Sequence, residues 1–138
     1  MLLIVAGTVA AIGHKLLIPI DPLYPPVTIP VINDRNQVLE LEKQFTGTFY
    51  TGRKEGDRMI TINNAGIAEF FEIKFSSDDQ KYFLVKRASR NYVFASEGGG
   101  FFAIADKVHV ITFFSPNVIE YYKGRYTRIP GTVESIFE

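Results

Sequence analysis

Turn-forming residues recur about every eight to twelve residues from Phe45 onward, and this spacing limits the possible folds more than any other feature of the sequence. The segments between the turns are rich in Phe, Tyr, Ile and Val, which favour β-strands. Eight short strands joined by tight turns predict an antiparallel up-and-down meander, which removes its exposed edges most simply by closing into a small barrel. The strands are predicted at residues 45–53, 58–63, 67–75, 81–87, 91–95, 101–105, 108–114 and 118–127.

One short helix is predicted ahead of the first strand, over residues 34–44. Asp34 is suited to cap its N-terminus, and Gln37 follows three residues later, which is the spacing of a capping box. Val38, Leu41 and Phe45 recur at helical spacing and predict one apolar face. The predicted fold class is therefore mainly β with one helix, to which the N-terminal segment adds a second, membrane-spanning helix.

The first 20 residues are almost wholly apolar and are interrupted by His14 and Lys15. A helix over residues 2–20 would measure about 28 Å, close to the roughly 30 Å of a bilayer core. The pattern predicts a transmembrane or signal-anchor helix over residues 1–20, with a buried element of a soluble fold and a signal-peptide remnant as alternatives. Lys15 weakly favours a cytoplasmic domain and an uncleaved signal favours the opposite side, so the side of the membrane stays open.

Five prolines within residues 19–30 exclude a helix or a central strand there. Residues 21–33 are predicted to form an extended, fairly stiff spacer, followed by the β-domain over residues 34–138. Apolar residues alternate with polar residues or proline from Val27 to Val31. This alternation equally fits a segment that packs along the surface of the domain.

The composition argues against several classes of function. The chain carries 15 basic and 15 acidic residues and no cysteine, which disfavours a nucleic-acid partner and excludes disulfides and thiolate chemistry. His14 and His109 have no second ligand at metal spacing, and the glycines at 98–100 lack the Lys-Ser/Thr of a phosphate-binding loop. Glu69, Glu72 and Glu120 are explained equally well by cross-strand charge pairs. We therefore predict no catalytic residues, no metal and no cofactor.

Apolar side chains are not confined to one face of the predicted strands. Phe70, Phe83 and Phe113 fall on second faces that a solvated antiparallel sheet would keep polar, so the helix, the spacer, a lipid surface or another protein must cover them. Tyr and Arg alternate in the last strand, as is frequent at interfaces, although Arg stacked over aromatic rings also closes barrel ends. The candidate contact surface consists of Phe70, Phe83, Phe113, Tyr121, Arg125 and Arg128.

The segment FTGTFY at residues 45–50, directly after the short helix, resembles the Gly-x-Trp start of lipocalin-like (calycin-type) barrels, with Phe49 in place of Trp. In that family an Arg near the end of the last strand packs across the aromatic residue, and Arg125 or Arg128 would correspond to it. The resemblance covers residues 35–130. It implies an up-and-down barrel, often with an apolar ligand cavity, although an eight-stranded barrel this short can be filled by its own side chains.

The leading functional hypothesis is a non-enzymatic, membrane-tethered β-domain that acts by contact, as a structural or accessory subunit of a larger membrane assembly. Its expected partners are the membrane and other protein subunits, with no nucleic acid. The alternative is a lipocalin-type carrier of a small apolar ligand.

Overall fold

The computed structural model describes residues 15–18, 27–106 and 108–130. The last eight strands form a closed antiparallel barrel in which each strand pairs with its neighbour in sequence and the last of them pairs with the first. This confirms the prediction of an eight-stranded up-and-down barrel preceded by one short helix, and it is consistent with a calycin-like barrel. The elements are β1 (Lys15–Ile18), β2 (Val27–Pro30), α1 (Arg35–Phe45), β3 (Gly47–Tyr50), β4 (Arg58–Ile62), β5 (Ile67–Ser76), β6 (Lys81–Glu97), β7 (Gly100–Ala105), β8 (His109–Ser115), β9 (Val118–Tyr121) and β10 (Gly124–Arg128).

Helix α1 begins and packs as its sequence pattern predicts. The Asp34 side chain accepts a hydrogen bond from the Gln37 backbone N–H at 3.1 Å, which caps the helix. Leu41 and Phe45 are buried in the core of the barrel, and Val38 packs against that core. The helix ends at Phe45, and the next residue, Thr46, caps it with a hydroxyl that donates to the Glu42 carbonyl at 2.6 Å.

Two predicted strand boundaries are wrong, and the two errors cancel in the strand count. The residues predicted as strands 81–87 and 91–95 form one continuous strand, β6. Ser89 and Arg90, where a turn was expected, pair with Glu69 and Ala68, and a bulge at Arg87 lies opposite Phe70 and Phe71. The predicted strand 118–127 is instead two strands, β9 and β10, joined by a tight turn at Tyr122 and Lys123. Bulges let a strand bend without leaving the sheet, so polar residues at this bend did not end the strand.

In β5, the face that points into the barrel is not the face on which apolar residues alternate most regularly. In β5 the partners of inward-facing Ile60 and Ile62 are Phe70 and Ala68, and Phe70 belongs to the buried core. Phe71 and Ile73 lie on the outer face instead, where they form a second buried cluster with Met59 and Ile129 and with partly buried Tyr50 and Leu84. Phe70 and Phe113 therefore need no covering partner, because the interior of the barrel buries them.

The N-terminal segment follows the outer surface of the barrel where the structure describes it. Val31 forms a β-bridge with Ala95, and the Ile32 N–H donates to the Phe94 carbonyl at 2.9 Å. Val31 also packs on a small cluster around Ala95 and Ile104. These contacts favour the alternative in which the end of the spacer packs along the domain.

Strand β1 pairs with β2 in a separate two-stranded antiparallel sheet, from Lys15 opposite Pro30 to Ile18 opposite Val27. The helix predicted over residues 2–20 therefore does not include residues 15–18, because they pair as a strand. Residues 1–14 and 19–26, which hold the rest of the predicted anchor and much of the predicted spacer, lie outside the described residues. Among the residues that are described, no helix has the length and apolar character to cross a bilayer.

The helix end of the barrel is closed by Arg128. Its guanidinium carbon lies 4.7 Å from the centroid of the Phe49 ring, and its nitrogens donate to the carbonyls of Thr46 at 2.7 Å, Gln44 at 2.8 Å and Pro116 at 2.6 and 2.9 Å. Gly47, with φ +145°, leaves the space that the guanidinium occupies, since a Cβ there would collide with Arg128. Arg128 thus makes the arginine–aromatic contact that the lipocalin resemblance implies.

Candidate functional site

The two ends of the barrel differ in how they are filled. At the helix end, Phe45 stacks on Phe113 with ring centroids 4.3 Å apart, and Phe94 lies 6.1 Å from Phe113. At the opposite end, where β3–β4, β5–β6, β7–β8 and β9–β10 are connected, the structure has a pocket of about 330 Å³. We refer to this pocket as the mouth of the barrel. Aromatic rings therefore close one end, and the mouth at the other end is the candidate site.

The mouth is lined mainly by arginine and tyrosine side chains over an apolar floor. Among the described residues, its basic groups are Arg58 from β4 and Arg87 and Arg90 from β6, and the one carboxylate in the lining is Glu72 of β5. The floor includes the side chains of Ile60, Phe70 and Ala88, and the hydroxyl-bearing side chains are those of Tyr121, Tyr122 and Tyr126. Three guanidinium groups and one carboxylate make the mouth electropositive in a chain whose formal net charge is zero.

The charged groups of the mouth differ in whether they have partners. Arg87 donates through Nε and Nη2 to one oxygen of Glu72, at 2.9 and 2.6 Å, and Lys74 lies 3.3 Å from the other oxygen. The hydrogen bond from Arg87 is the main cause of a pKa for Glu72 below its ordinary value. Arg90 Nη1 donates to Asp106 at 2.9 Å, but its buried Nε has no acceptor among the described residues.

Arg58 is the least satisfied cation of the mouth. It makes no ion pair with any carboxylate of the described residues, although Glu72 is its register partner across β4 and β5. Among the described residues its side chain interacts with the Tyr126 hydroxyl, and this contact offsets part of the rise in the pKa of Tyr126 that burial causes. Arg58 is exposed and lines the pocket.

A tyrosine–histidine cluster forms one wall of the mouth. The Tyr121 hydroxyl lies 2.9 Å from His109 Nδ1, and the Tyr122 hydroxyl lies 3.5 Å from the same atom. Burial raises the pKa of Tyr121 to about 12. Burial, reinforced by the nearby charge of Arg90, lowers the pKa of His109. At neutral pH the cluster therefore offers the protonated phenol of Tyr121 and the uncharged imidazole of His109.

The six residues predicted as a contact surface do not lie on one surface. Phe70 and Phe113 are 8% and 6% exposed and belong to the core, and Arg128 closes the helix end. Tyr121 lies at the mouth, whereas the Arg125 guanidinium lies 5.0 Å from the ring centroid of Phe114. Phe83 is 45% exposed on the part of β6 that extends beyond the barrel.

Sequence reasoning missed Arg58 and Arg90. They are 32 residues apart in the chain and meet only because the barrel closes. Arg90 was also assigned to a turn, since Ser-Arg between two apolar segments is typical of one. The carboxylates considered in the sequence, Glu69 and Glu72, form cross-strand ion pairs with Lys86 at 2.6 Å and with Arg87, as charge pairing across strands requires.

No family model, no curated protein and no solved structure matches this chain.

A second candidate surface is the edge of β6. β6 has 17 residues, against about five or six for an average strand, and it pairs with β7 only from Tyr92 to Glu97. Within the described part of the chain, residues 83–90 pair with β5 alone. The closed barrel thus carries one projecting hairpin with a strand edge on its β7 side.

The hydrogen-bond pattern identifies which backbone groups point out of this edge. Ile73 of β5 accepts from the Gly56 N–H and donates to the Asp57 carbonyl, both at 2.8 Å, so its backbone faces away from β6. Opposite residues of an antiparallel pair share this orientation, so Leu84, the partner of Ile73, faces away from β5. The same argument applies to Lys86, whose partner Phe71 pairs with Met59 of β4.

Proposed function

We propose that this chain is a non-enzymatic, membrane-tethered β-domain that acts by contact, as an accessory subunit of a larger assembly. The observation that carries the proposal is the edge of β6 at residues 83–90, which pairs only with β5 among the described residues. Another chain can add a β-strand at this edge. An edge strand presents unpaired N–H and C=O groups that pair readily with an extended segment. A barrel otherwise removes such edges.

The surroundings of the edge fit strand addition. Lys86 and Arg87, the charged side chains that would otherwise hinder a second strand, are engaged by Glu69 and Glu72 on the β5 side. Phe83 is nearly half exposed next to the edge and offers an apolar anchor for the incoming chain. Main-chain hydrogen bonds would provide affinity, and side-chain pockets on alternate residues would provide specificity.

The packed aromatic rings at the helix end argue against the alternative of an apolar-ligand carrier. Phe45, Phe94 and Phe113 occupy the part of the interior in which a deep apolar ligand would lie. Membrane attachment depends on the apolar residues 1–14, and it is part of the proposal on the strength of their sequence alone.

The substitution Lys86→Pro tests strand addition. Proline removes the outward N–H at position 86 without removing a β5–β6 hydrogen bond, which is the position in an edge strand that tolerates proline. Lys86→Ala is the matched control, because it also removes the ion pair with Glu69 but keeps the N–H. The measurement is the sedimentation of the tagged full chain from native membranes solubilised in mild detergent.

We expect the wild-type chain and Lys86→Ala to sediment in a complex that contains another protein, and Lys86→Pro to sediment as the free chain. A wild-type chain that is recovered alone would contradict the proposal. So would a Lys86→Pro variant that stays in the complex.

A further inference from the structure

The mouth of the barrel has more cationic groups than its own carboxylates neutralise. Arg58, Arg87 and Arg90 line it with Glu72. Lys74 and Asp106, which bond to these groups, add one charge of each sign. Two positive charges therefore remain in excess, and one of them is carried by Arg58, which has no carboxylate partner in the described residues.

Hydrogen-bond donors without strong acceptors converge on the same pocket. The Nε of Arg90 is buried and has no acceptor in the described chain, although such groups are normally paired. Tyr126 and Tyr122 add hydroxyl groups to the lining. A guanidinium pairs best with a planar or tetrahedral oxyanion, to which it can donate two hydrogen bonds at once.

The floor of the pocket is apolar and its volume is small. Ile60 and Phe70 lie beneath the arginines, and the Arg90 guanidinium carbon lies 5.8 Å from the Phe70 ring centroid. The volume of about 330 Å³ is near the lower end of ligand-binding pockets, at about 300 Å³. The pocket thus combines an anion-binding rim with room for a short apolar group.

From these observations we propose that the mouth binds the carboxylate or phosphate of a small amphiphilic ligand, with Arg58 and Arg90 on the oxyanion and Phe70 against the apolar part. The mouth uses the side chains of Arg58 and Arg90, whereas strand addition would use the outward backbone groups of Leu84 and Lys86, so this proposal does not depend on the proposed strand addition. Glu72 does not block the anion, because Arg87 and Lys74 already engage both of its oxygens.

The test is calorimetric titration of the purified full chain with octanoate and, as the uncharged counterpart, octan-1-ol. Arg58→Gln removes the guanidinium that has no carboxylate partner among the described residues, at an exposed position. Arg125→Gln is the matched control, because Arg125 is an exposed arginine that contacts Phe114 and does not line the mouth. Melting curves of both variants check that the fold is intact.

We expect octanoate to bind at least about tenfold more tightly than octan-1-ol, and Arg58→Gln to weaken octanoate binding by about tenfold or more, the effect of losing one charge-assisted hydrogen bond. Arg125→Gln should stay within about twofold of the wild type. Equal affinities for octanoate and octan-1-ol would overturn the proposal, as would equal octanoate binding by Arg58→Gln and Arg125→Gln, or no octanoate binding up to about 1 mM.

Two further arms identify the source of the oxyanion. Octyl phosphate replaces octanoate in the same titration, and vesicles of phosphatidylcholine with phosphatidylglycerol replace it in a co-sedimentation assay. If Arg58→Gln no longer binds vesicles and Arg125→Gln still does, the result supports the proposal with a lipid headgroup as the ligand. The alternative outcome is that both variants bind vesicles equally and only Arg58→Gln loses the binding of octanoate or octyl phosphate. This outcome supports the proposal with a free small molecule as the ligand.

Discussion

Arg128 joins three separate parts of the chain at the helix end. It donates to carbonyls of the α1–β3 junction and of the β8–β9 turn while its guanidinium covers Phe49. Burial lowers its pKa, but not far enough for the side chain to lose its charge near neutral pH. The planar fork, rather than the charge alone, makes these contacts, since a lysine ammonium cannot reproduce four hydrogen bonds from a planar group to three carbonyls.

Arg128→Lys should therefore lower the free energy of unfolding by about 2–3 kcal/mol, the scale of losing hydrogen bonds from a charged donor to partly buried carbonyls. Urea denaturation followed by circular dichroism measures this loss. The control is Arg125→Lys, whose exposed position predicts a change within about 0.5 kcal/mol. Similar losses in the two variants would show that Arg128 does not close the barrel.

His109 should make the stability depend on pH. Burial lowers its pKa in the folded state, so between that value and about 6.5 the unfolded chain binds more protons than the folded chain. The contribution of uncharged His109 to the free energy of unfolding is complete above about pH 6.5. It is lost as the pH falls toward the pKa of His109 in the folded state. The contribution of Glu72, whose pKa is lowered from 4.5, is lost only at more acidic pH.

We expect the wild-type chain to lose more stability between pH 7.5 and 5.5 than the variant His109→Gln, as measured by urea denaturation at each pH. His14→Gln, which keeps His109, should retain the wild-type response. If the stability of His109→Gln depends on pH as that of the wild type does, groups other than His109 cause the pH dependence.

The β9–β10 turn shows what element-scale patterns cannot predict. Tyr122 and Lys123 both have positive φ, at 50° and 64°, which is the conformation of a type I′ hairpin turn. Such turns usually contain Asn-Gly, so Tyr122-Lys123 in a segment rich in tyrosine and arginine predicts a continuous strand. The backbone strain places Tyr122 at the mouth, next to His109.

Replacing Lys123 with glycine should relieve this strain, since glycine adopts positive φ without a steric penalty. We expect Lys123→Gly to raise the free energy of unfolding by about 0.5–1 kcal/mol, measured by thermal denaturation. Lys81→Gly is the control at an exposed strand position, and it should lower the free energy of unfolding by a similar amount. A destabilised Lys123→Gly variant would contradict the assigned turn.

Elements that depend on residues of one short segment were predicted from the sequence. Features that depend on contacts between distant segments were not. Helix α1 follows from the Asp34 cap and the spacing of Leu41 and Phe45, all within one segment. The interior position of Phe70 depends on which face the closing barrel turns inward, so alternation alone predicted the wrong face for it. The length of β6 was missed because a bulge and a turn have the same local composition.

At the scale of the whole molecule, closure of the barrel creates every candidate site. It buries the aromatic rings at one end, brings Arg58 and Arg90 together at the other, and leaves β6 as the strand that extends past its neighbour. Local patterns contain none of these long-range relations, which is why the sequence predicted the barrel but not the composition of its mouth.

Amide hydrogen exchange at the β6 edge tests the central claim of strand addition most directly. In the isolated full chain, the outward N–H groups of Leu84 and Lys86 should exchange rapidly, while those of Phe83 and Val85, which face β5, are protected. In the native assembly all four should be protected, because the added strand takes up the outward groups. Rapid exchange of Leu84 and Lys86 in the assembly would show that no strand pairs there.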